Sequence, residues 1–214
     1  MARLKVGVLI SGRGSNLAAL IAACADPAFP AEIVLVLSNK ADAQGLRRAA
    51  EAGLATALVD HRGRSREAFE QAVDAALRQA GVELICLAGF MRLFTAGFVA
   101  RWPDRILNIH PSLLPAFKGL HVQEQALAAG VRISGCTVHV VRAAMDAGPI
   151  VAQAAVPVLE GDSADSLAER ILAAEHRLYP LALRLFAEGR AVVEGQRVRI
   201  AGAGPAAPAL FSPC

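Results

Sequence analysis

Five short, mostly apolar runs dominate the first half of the chain: Leu4 to Ile10, Ile33 to Leu37, Ala55 to Val59, Leu84 to Ala88 and Arg105 to Ile109. Runs this short and this apolar read as strands buried on both faces, the mark of a parallel sheet. Segments of helical composition separate them. Asn16 to Cys24 follows the first run and stops at Asp26-Pro27. Asp42 is placed to cap a helix that runs to Ala52 and ends at Gly53. Ser65 is placed to cap the next, in which Phe69, Val73 and Leu77 recur at four-residue spacing before Gly81. A shorter helix ends at Arg101. This alternation predicts an α/β chain with a doubly wound, mostly parallel sheet.

The pattern changes after Pro115. Gly119 to Ala129 reads as a helix stopped by Gly130. Cys136 to Val141 and Ile150 to Val158 read as longer strands that pair antiparallel, extending the sheet toward the C-terminus. Gly161-Asp162-Ser163 opens a long helix from Ala164 to about residue 188, which Pro180 is expected to kink or divide. Ala191 to Val193 and Arg197 to Arg199 form a small hairpin around Glu194-Gly195-Gln196. The 214 residues suffice for one well-buried core. The expected organisation is a single domain over 1–200 and a poorly ordered tail over 201–214.

Composition excludes several classes of function. A net charge of +3, spread along the chain, leaves no footprint for nucleic acid. No apolar stretch approaches the roughly 20 residues that span a membrane, and Met1 to Lys5 leads straight into an apolar run, so no signal peptide is expected. Cys24, Cys86, Cys136 and Cys214 form no CxxC or Cys/His cluster, and the first three lie in core-like contexts. A reducing cytoplasm fits these features.

Chemistry concentrates in two places. Ser11-Gly12-Arg13-Gly14-Ser15-Asn16 lies between the first strand and its helix, where glycines admit close approach and open N–H groups favour phosphate. Position 17 is Leu where a dinucleotide fingerprint needs a third glycine, and Ser38-Asn39 stands where it needs an acid. A monophosphate is the better functional reading; a plain tight turn is the alternative. The second place is Leu107-Asn108-Ile109-His110-Pro111-Ser112-Leu113-Leu114-Pro115. If this strand is extended through His110, Asn108 and His110 share a face. An amide that polarises a carbonyl then neighbours a base that moves a proton. Asp146, in Met145-Asp146-Ala147-Gly148-Pro149, supplies a carboxylate. A capping Asn, a strand-end His and a turn Asp account for each residue singly; together they suggest acyl-group chemistry without a covalent nucleophile.

Other constellations are weaker. His110, His121, His139 and Asp146 contain zinc-ligand types, but no helical His pair supports a metal site and none is expected. No G-x-S-x-G turn marks a serine nucleophile. Gly89-Phe90-Met91-Arg92-Leu93-Phe94 is unusually apolar for a loop after a strand. Met91, Leu93 and Phe94 suit a flat heteroaromatic ligand there, or simply the core.

Together with Ser38-Asn39-Lys40-Ala41-Asp42-Ala43, Gly119-Leu120-His121 and Glu175-His176, these motifs resemble the phosphoribosylglycinamide formyltransferase family, folate-dependent enzymes of purine synthesis. The resemblance runs from about residue 4 to 190. It implies direct formyl transfer from 10-formyltetrahydrofolate to the amine of 5-phosphoribosylglycinamide, with Asn108, His110 and Asp146 catalytic and no metal. It also implies ribonucleotide contacts from Gly14, Ser15, Asn16, Pro111 and Glu175. Folate contacts would come from Arg66, Met91, Arg92, Leu93, Phe94, Asn108, Arg142, Ala143, Ala144, Met145 and Asp146. The family often carries an acid and a branched residue where this chain has Ala144-Met145. The enzyme is expected as a monomer or homodimer, without nucleic-acid or membrane partners. Other folate-dependent formyltransferases and formyltetrahydrofolate hydrolases resemble the family around the Asn-x-His pair and are the nearest rivals; a methionyl-tRNA formyltransferase is expected to need an extra C-terminal domain, and the hydrolases an N-terminal regulatory one. A nucleotide-binding module that has lost catalysis is disfavoured by the intact Asn108, His110 and Asp146.

Overall fold

The first apolar run forms β1, Leu4–Ile10, in the computed structural model, which describes residues 2–204 and 212. It is followed by α1 (Ser15–Cys24), β2 (Ala31–Ser38), α2 (Gln44–Glu51), β3 (Thr56–Leu58), α3 (Arg66–Gln79), β4 (Leu84–Leu87), α4 (Ala96–Arg101) and β5 (Ile106–His110). The rest comprises α5 (Val122–Ala128), β6 (Ile133–Val140), β7 (Ile150–Pro157), α6 (Ala164–Ala187), β8 (Ala191–Glu194) and β9 (Arg197–Ile200). Seven strands take the order β3-β2-β1-β4-β5-β6-β7, and β8 and β9 form a separate pair. The β1–β2, β2–β3, β1–β4 and β4–β5 pairs are parallel, whereas β6–β7 and β8–β9 are antiparallel. The mostly parallel sheet with an antiparallel extension is the architecture expected from the alternating runs.

Two compact units divide the chain: Met1–Asn108 with Val140–Ala143, and Ile109–His139 with Ala144–Cys214. In the first unit the winding reverses between β1 and β4, so the loops leaving their carboxyl ends flank a topological switch point. Its core includes an aromatic series, Phe69, Phe90, Phe94 and Phe98, with successive ring centroids 6.5, 5.4 and 3.9 Å apart. In the second unit, β6 is almost wholly buried. A Cβ at Gly135 would lie 2.0 Å from the Ala154 carbonyl oxygen, so the β6–β7 register depends on that missing side chain.

Local expectations held where a cap acts within one turn. The Ser65 hydroxyl accepts from the Ala68 N–H, and Ser163 forms a reciprocal capping box with Ser166. Asp42 does not cap α2. Ala43 is the N-cap, and the Gly45 N–H in the first turn donates to the Gly12 carbonyl at 3.1 Å, so a neighbouring loop replaces the side-chain cap. Helix α5 begins at Val122 rather than Gly119, because His121 takes a left-handed conformation with φ 56°. Pro180 does not divide α6, which continues through it. Its cost, about 3 kcal/mol in a helix interior, is offset where Leu178, Tyr179, Ala182 and Leu183 are all buried around it. The hairpin forms over β8 and β9. Most of the 201–214 tail lies outside the described residues.

Candidate active site

In the second unit, His110 ends β5 with its side chain only 6% exposed. Its Nε2 lies 2.9 Å from the Phe117 carbonyl oxygen, which can only accept, so Nε2 carries the proton and donates. The neutral ring then holds its lone pair on Nδ1. That atom stands 3.6 Å from Asp146 Oδ2, outside hydrogen-bond range but close enough to form an ion pair once Nδ1 is protonated. Asp146 Oδ2 accepts from the Gly119 N–H at 3.0 Å. Its Oδ1 lies 3.8 Å from Nε2 of His139, a ring just 3% exposed on β6. One carboxylate thus stands between two buried imidazoles.

Backbone strain accompanies this arrangement. Phe117, His121 and Asp146 have φ of 50°, 56° and 48°. Such conformations cost a side-chain-bearing residue on the order of 1 kcal/mol each and persist where surrounding contacts impose them. Here the Phe117 carbonyl faces His110, and the Asp146 carboxylate holds Gly119. The segment after His110 is pinned from β6 and β7. The fully buried Thr137 hydroxyl donates to the Ser112 carbonyl at 2.7 Å and accepts from the Leu114 N–H at 3.0 Å. Gln153 Nε2 donates to the Leu114 carbonyl at 2.9 Å and to Thr137 Oγ1 at 3.0 Å. A cleft of about 520 Å³ opens on Asp146, with Leu114, Lys118, Gln196 and Arg197 among its walls.

The same unit contains Pro111, partly buried, the exposed Ala144 and Met145, and Glu175, 5% exposed on α6. Burial pushes the Cys136 thiol up to about 12, with the Glu175 charge adding to the effect; an un-ionised thiol is a poor nucleophile. Burial also lowers the pKa of His176. His121 is not drawn in: its side chain is 79% exposed and pairs with Glu124. Among the described residues, no group of three or more His, Cys, Asp or Glu is placed to hold a metal ion, and no helix is long and apolar enough to cross a membrane.

In the first unit, Gly14 caps α1 in the left-handed conformation, φ 73°, and a Cβ there would lie 2.8 Å from Gly45 Cα. It makes no side-chain cap at this helix start, a setting suited to phosphate. The segment after β4 splits in two directions. Met91 and Leu93 are 59% and 63% exposed, while Phe94 is buried in the aromatic series and Arg92 lies over the Phe69 ring at 5.0 Å. Turning Phe94 outward would forfeit roughly 2–3 kcal/mol of burial, so it serves the core and not an exposed ligand surface. Arg66 donates to the Leu93 carbonyl at 2.6 Å and so fixes that segment. Arg142 pairs with Asp104 at 2.5 Å, and Ala143 is exposed. Asn108 stands two residues before His110 on β5, which the strand's alternation places on the same side.

Sequence reasoning weighed His139 only as a metal ligand and did not single out Thr137 or Gln153. Thr137 and His139, two apart on a mostly apolar strand, were the available signal.

The mostly parallel, doubly wound sheet with its winding reversal at β1 and β4 defines the class of fold. The formyl transferase family model matches residues 4–183, and the chain belongs to that family. Within it, a phosphoribosylglycinamide formyltransferase of Escherichia coli (strain K12) is 43% identical over 203 residues, covering 91% of this chain and 96% of the relative. The trifunctional purine biosynthetic protein adenosine-3 of Gallus gallus is 53% identical over 199 residues, covering 92% of this chain. The chain spans only 20% of that longer relative's length. The crystal structure of glycinamide ribonucleotide transformylase 1 from Symbiobacterium toebii matches with a TM-score of 0.90 and 54% identity, covering 92% of this chain and 94% of the other.

Proposed function

We propose that this protein transfers the formyl group of 10-formyltetrahydrofolate directly to the amine of 5-phosphoribosylglycinamide, a step of purine synthesis in the cytoplasm. The observation that carries the reading is the buried His110–Asp146 pair, in which Nε2 is committed to a carbonyl and Nδ1 is left to take a proton. The neutral amine attacks the formyl carbon, and the Asn108 amide donates to the oxygen that becomes negative; one such donor is typically worth about 100- to 1000-fold in rate. His110 Nδ1 accepts the proton that the amine nitrogen sheds, and Asp146 supplies the counter-charge. The bond from formyl carbon to folate N10 then breaks, and the proton passes to N10. No acyl-enzyme forms.

Gly14, Ser15 and Asn16 are assigned to the ribonucleotide phosphate, with Pro111 and Glu175 as further contacts. The exposed apolar side chains of Met91, Leu93 and Met145 supply folate surface, together with Arg66, Arg92 and the backbone of 142–146. Phe94 supports that surface from within the core. With both substrates present, tetrahydrofolate release is expected at a rate that saturates in each. Turnover that requires a different amine, or none with 5-phosphoribosylglycinamide, would refute the assignment.

A further inference from the structure

Ser11 stands at the carboxyl end of β1 and belongs to neither the catalytic set nor the residues assigned above to either substrate. It is 5% exposed. Its hydroxyl donates to Asn39 Oδ1 at 2.6 Å and accepts from the Met91 N–H at 2.9 Å. Its own N–H donates to the Gly89 carbonyl at 3.2 Å. Asn39, only 2% exposed, is fixed in turn by His61, whose Nδ1 donates to the Asn39 carbonyl at 2.9 Å. One residue therefore joins the ends of β1, β2 and β4 at the switch point, all within the first unit.

From Ser11 the chain runs into Gly12–Asn16, the segment assigned to phosphate. From its partner Met91 it runs into the segment that exposes Met91 and Leu93. The first segment is also anchored to α2, because Gly12 accepts from the Gly45 N–H and Gly14 closes against Gly45. An adjustment of this loop around a bound phosphate therefore falls on Ser11 and passes to the Met91 amide.

We propose that Ser11 is a positioning residue that couples these two loops, so that ribonucleotide held at Gly14–Asn16 orders Met91–Leu93 and tightens folate binding. The reverse effect follows from linkage. This inference rests on the substrate assignment made above. A serine that merely braced the fold would, when removed, weaken each ligand independently and leave their mutual effect intact.

The test titrates tetrahydrofolate, which has no formyl group to transfer, into the whole protein with and without 5-phosphoribosylglycinamide. The wild-type ratio of the two dissociation constants is expected to be at least about fivefold. Ser11→Ala brings that ratio close to one, and Ser11→Thr, which keeps the hydroxyl, retains it. A wild-type ratio of one, or a full ratio in Ser11→Ala, overturns the coupling. If Ser11→Ala does not fold, amide hydrogen exchange in the wild type decides. Ribonucleotide alone should slow exchange at the Met91 N–H; an unchanged Met91 amide in protein that has bound ribonucleotide overturns the proposal. Protein that binds neither molecule removes the substrate assignment, and the coupling with it.

Discussion

His110 donates from Nε2 to the Phe117 carbonyl and turns Nδ1 toward the Asp146 carboxylate, and the proposed mechanism rests on that placement. In the proposed mechanism His110→Ala takes away the proton acceptor, and Asp146→Asn takes away the counter-charge while leaving an oxygen for the Gly119 N–H. Each substitution should lower the rate of formyl transfer by at least about 100-fold with the fold intact. Steady-state kinetics beside circular dichroism checks this, and near-normal turnover in either variant takes that residue out of the mechanism. Burial pushes the thiols of Cys24 and Cys136 up to about 11 and about 12. Iodoacetamide at neutral pH should therefore leave both unlabelled in the folded protein and label both after unfolding; native labelling would contradict their burial. Asn108 and His110 were legible in the sequence because their relation spans two residues of one strand. His139 was not, because it matters through an acid on the far side of the turn after β6, and nothing local to that strand reveals the partner.

Strand β6 is constrained at two neighbouring positions, Gly135 and Thr137. Gly135→Ala would place a methyl group 2.0 Å from a carbonyl oxygen of β7, so soluble, cooperatively folding protein should be lost. A variant with wild-type thermal unfolding would show that this register is wrong. Thr137→Val keeps the shape of the side chain but strands the Leu114 N–H, the Ser112 carbonyl and one Gln153 contact in the interior. A loss of roughly 2–4 kcal/mol is expected from denaturant unfolding, with slower formyl transfer because the segment after His110 is no longer held.

At the start of α6, Asp162 accepts from Arg170, the Leu159 N–H and Ser166, and these bonds, the Arg170 ones foremost, hold its carboxyl well below the usual carboxylate range. A depressed folded pKa stabilises the fold fully above the unfolded value near 3.9 and loses that contribution as pH falls toward the folded value. The gap in thermal midpoint between wild type and Asp162→Asn should therefore be constant from pH 7 to about 5 and close below about pH 4. A gap that widens on acidification would contradict the assignment. The cap at Ser65 was readable because donor and acceptor lie within one turn. Asp42 misled because a distant group, the Gly12 carbonyl, takes a first-turn N–H of α2, and the division allowed for at Pro180 does not occur because the residues around it are buried.

For the whole molecule, the alternation of short apolar runs with helical segments was enough to read the sheet, since parallel strands leave few other arrangements. The strand order, and with it the switch point at β1 and β4, was not readable, because it depends on which distant strands pair. The same holds for the cleft beside Asp146, whose walls include Gln196 and Arg197 from the C-terminal hairpin, beyond the stretch matched by the family model. If the formyl group passes directly between two bound small molecules, as proposed, the fate of its carbon is decisive. With 10-formyltetrahydrofolate labelled at that carbon and 5-phosphoribosylglycinamide present, every equivalent of tetrahydrofolate released should be matched by label on the ribonucleotide amine. Label recovered as formate, or retained covalently on the protein, would contradict it.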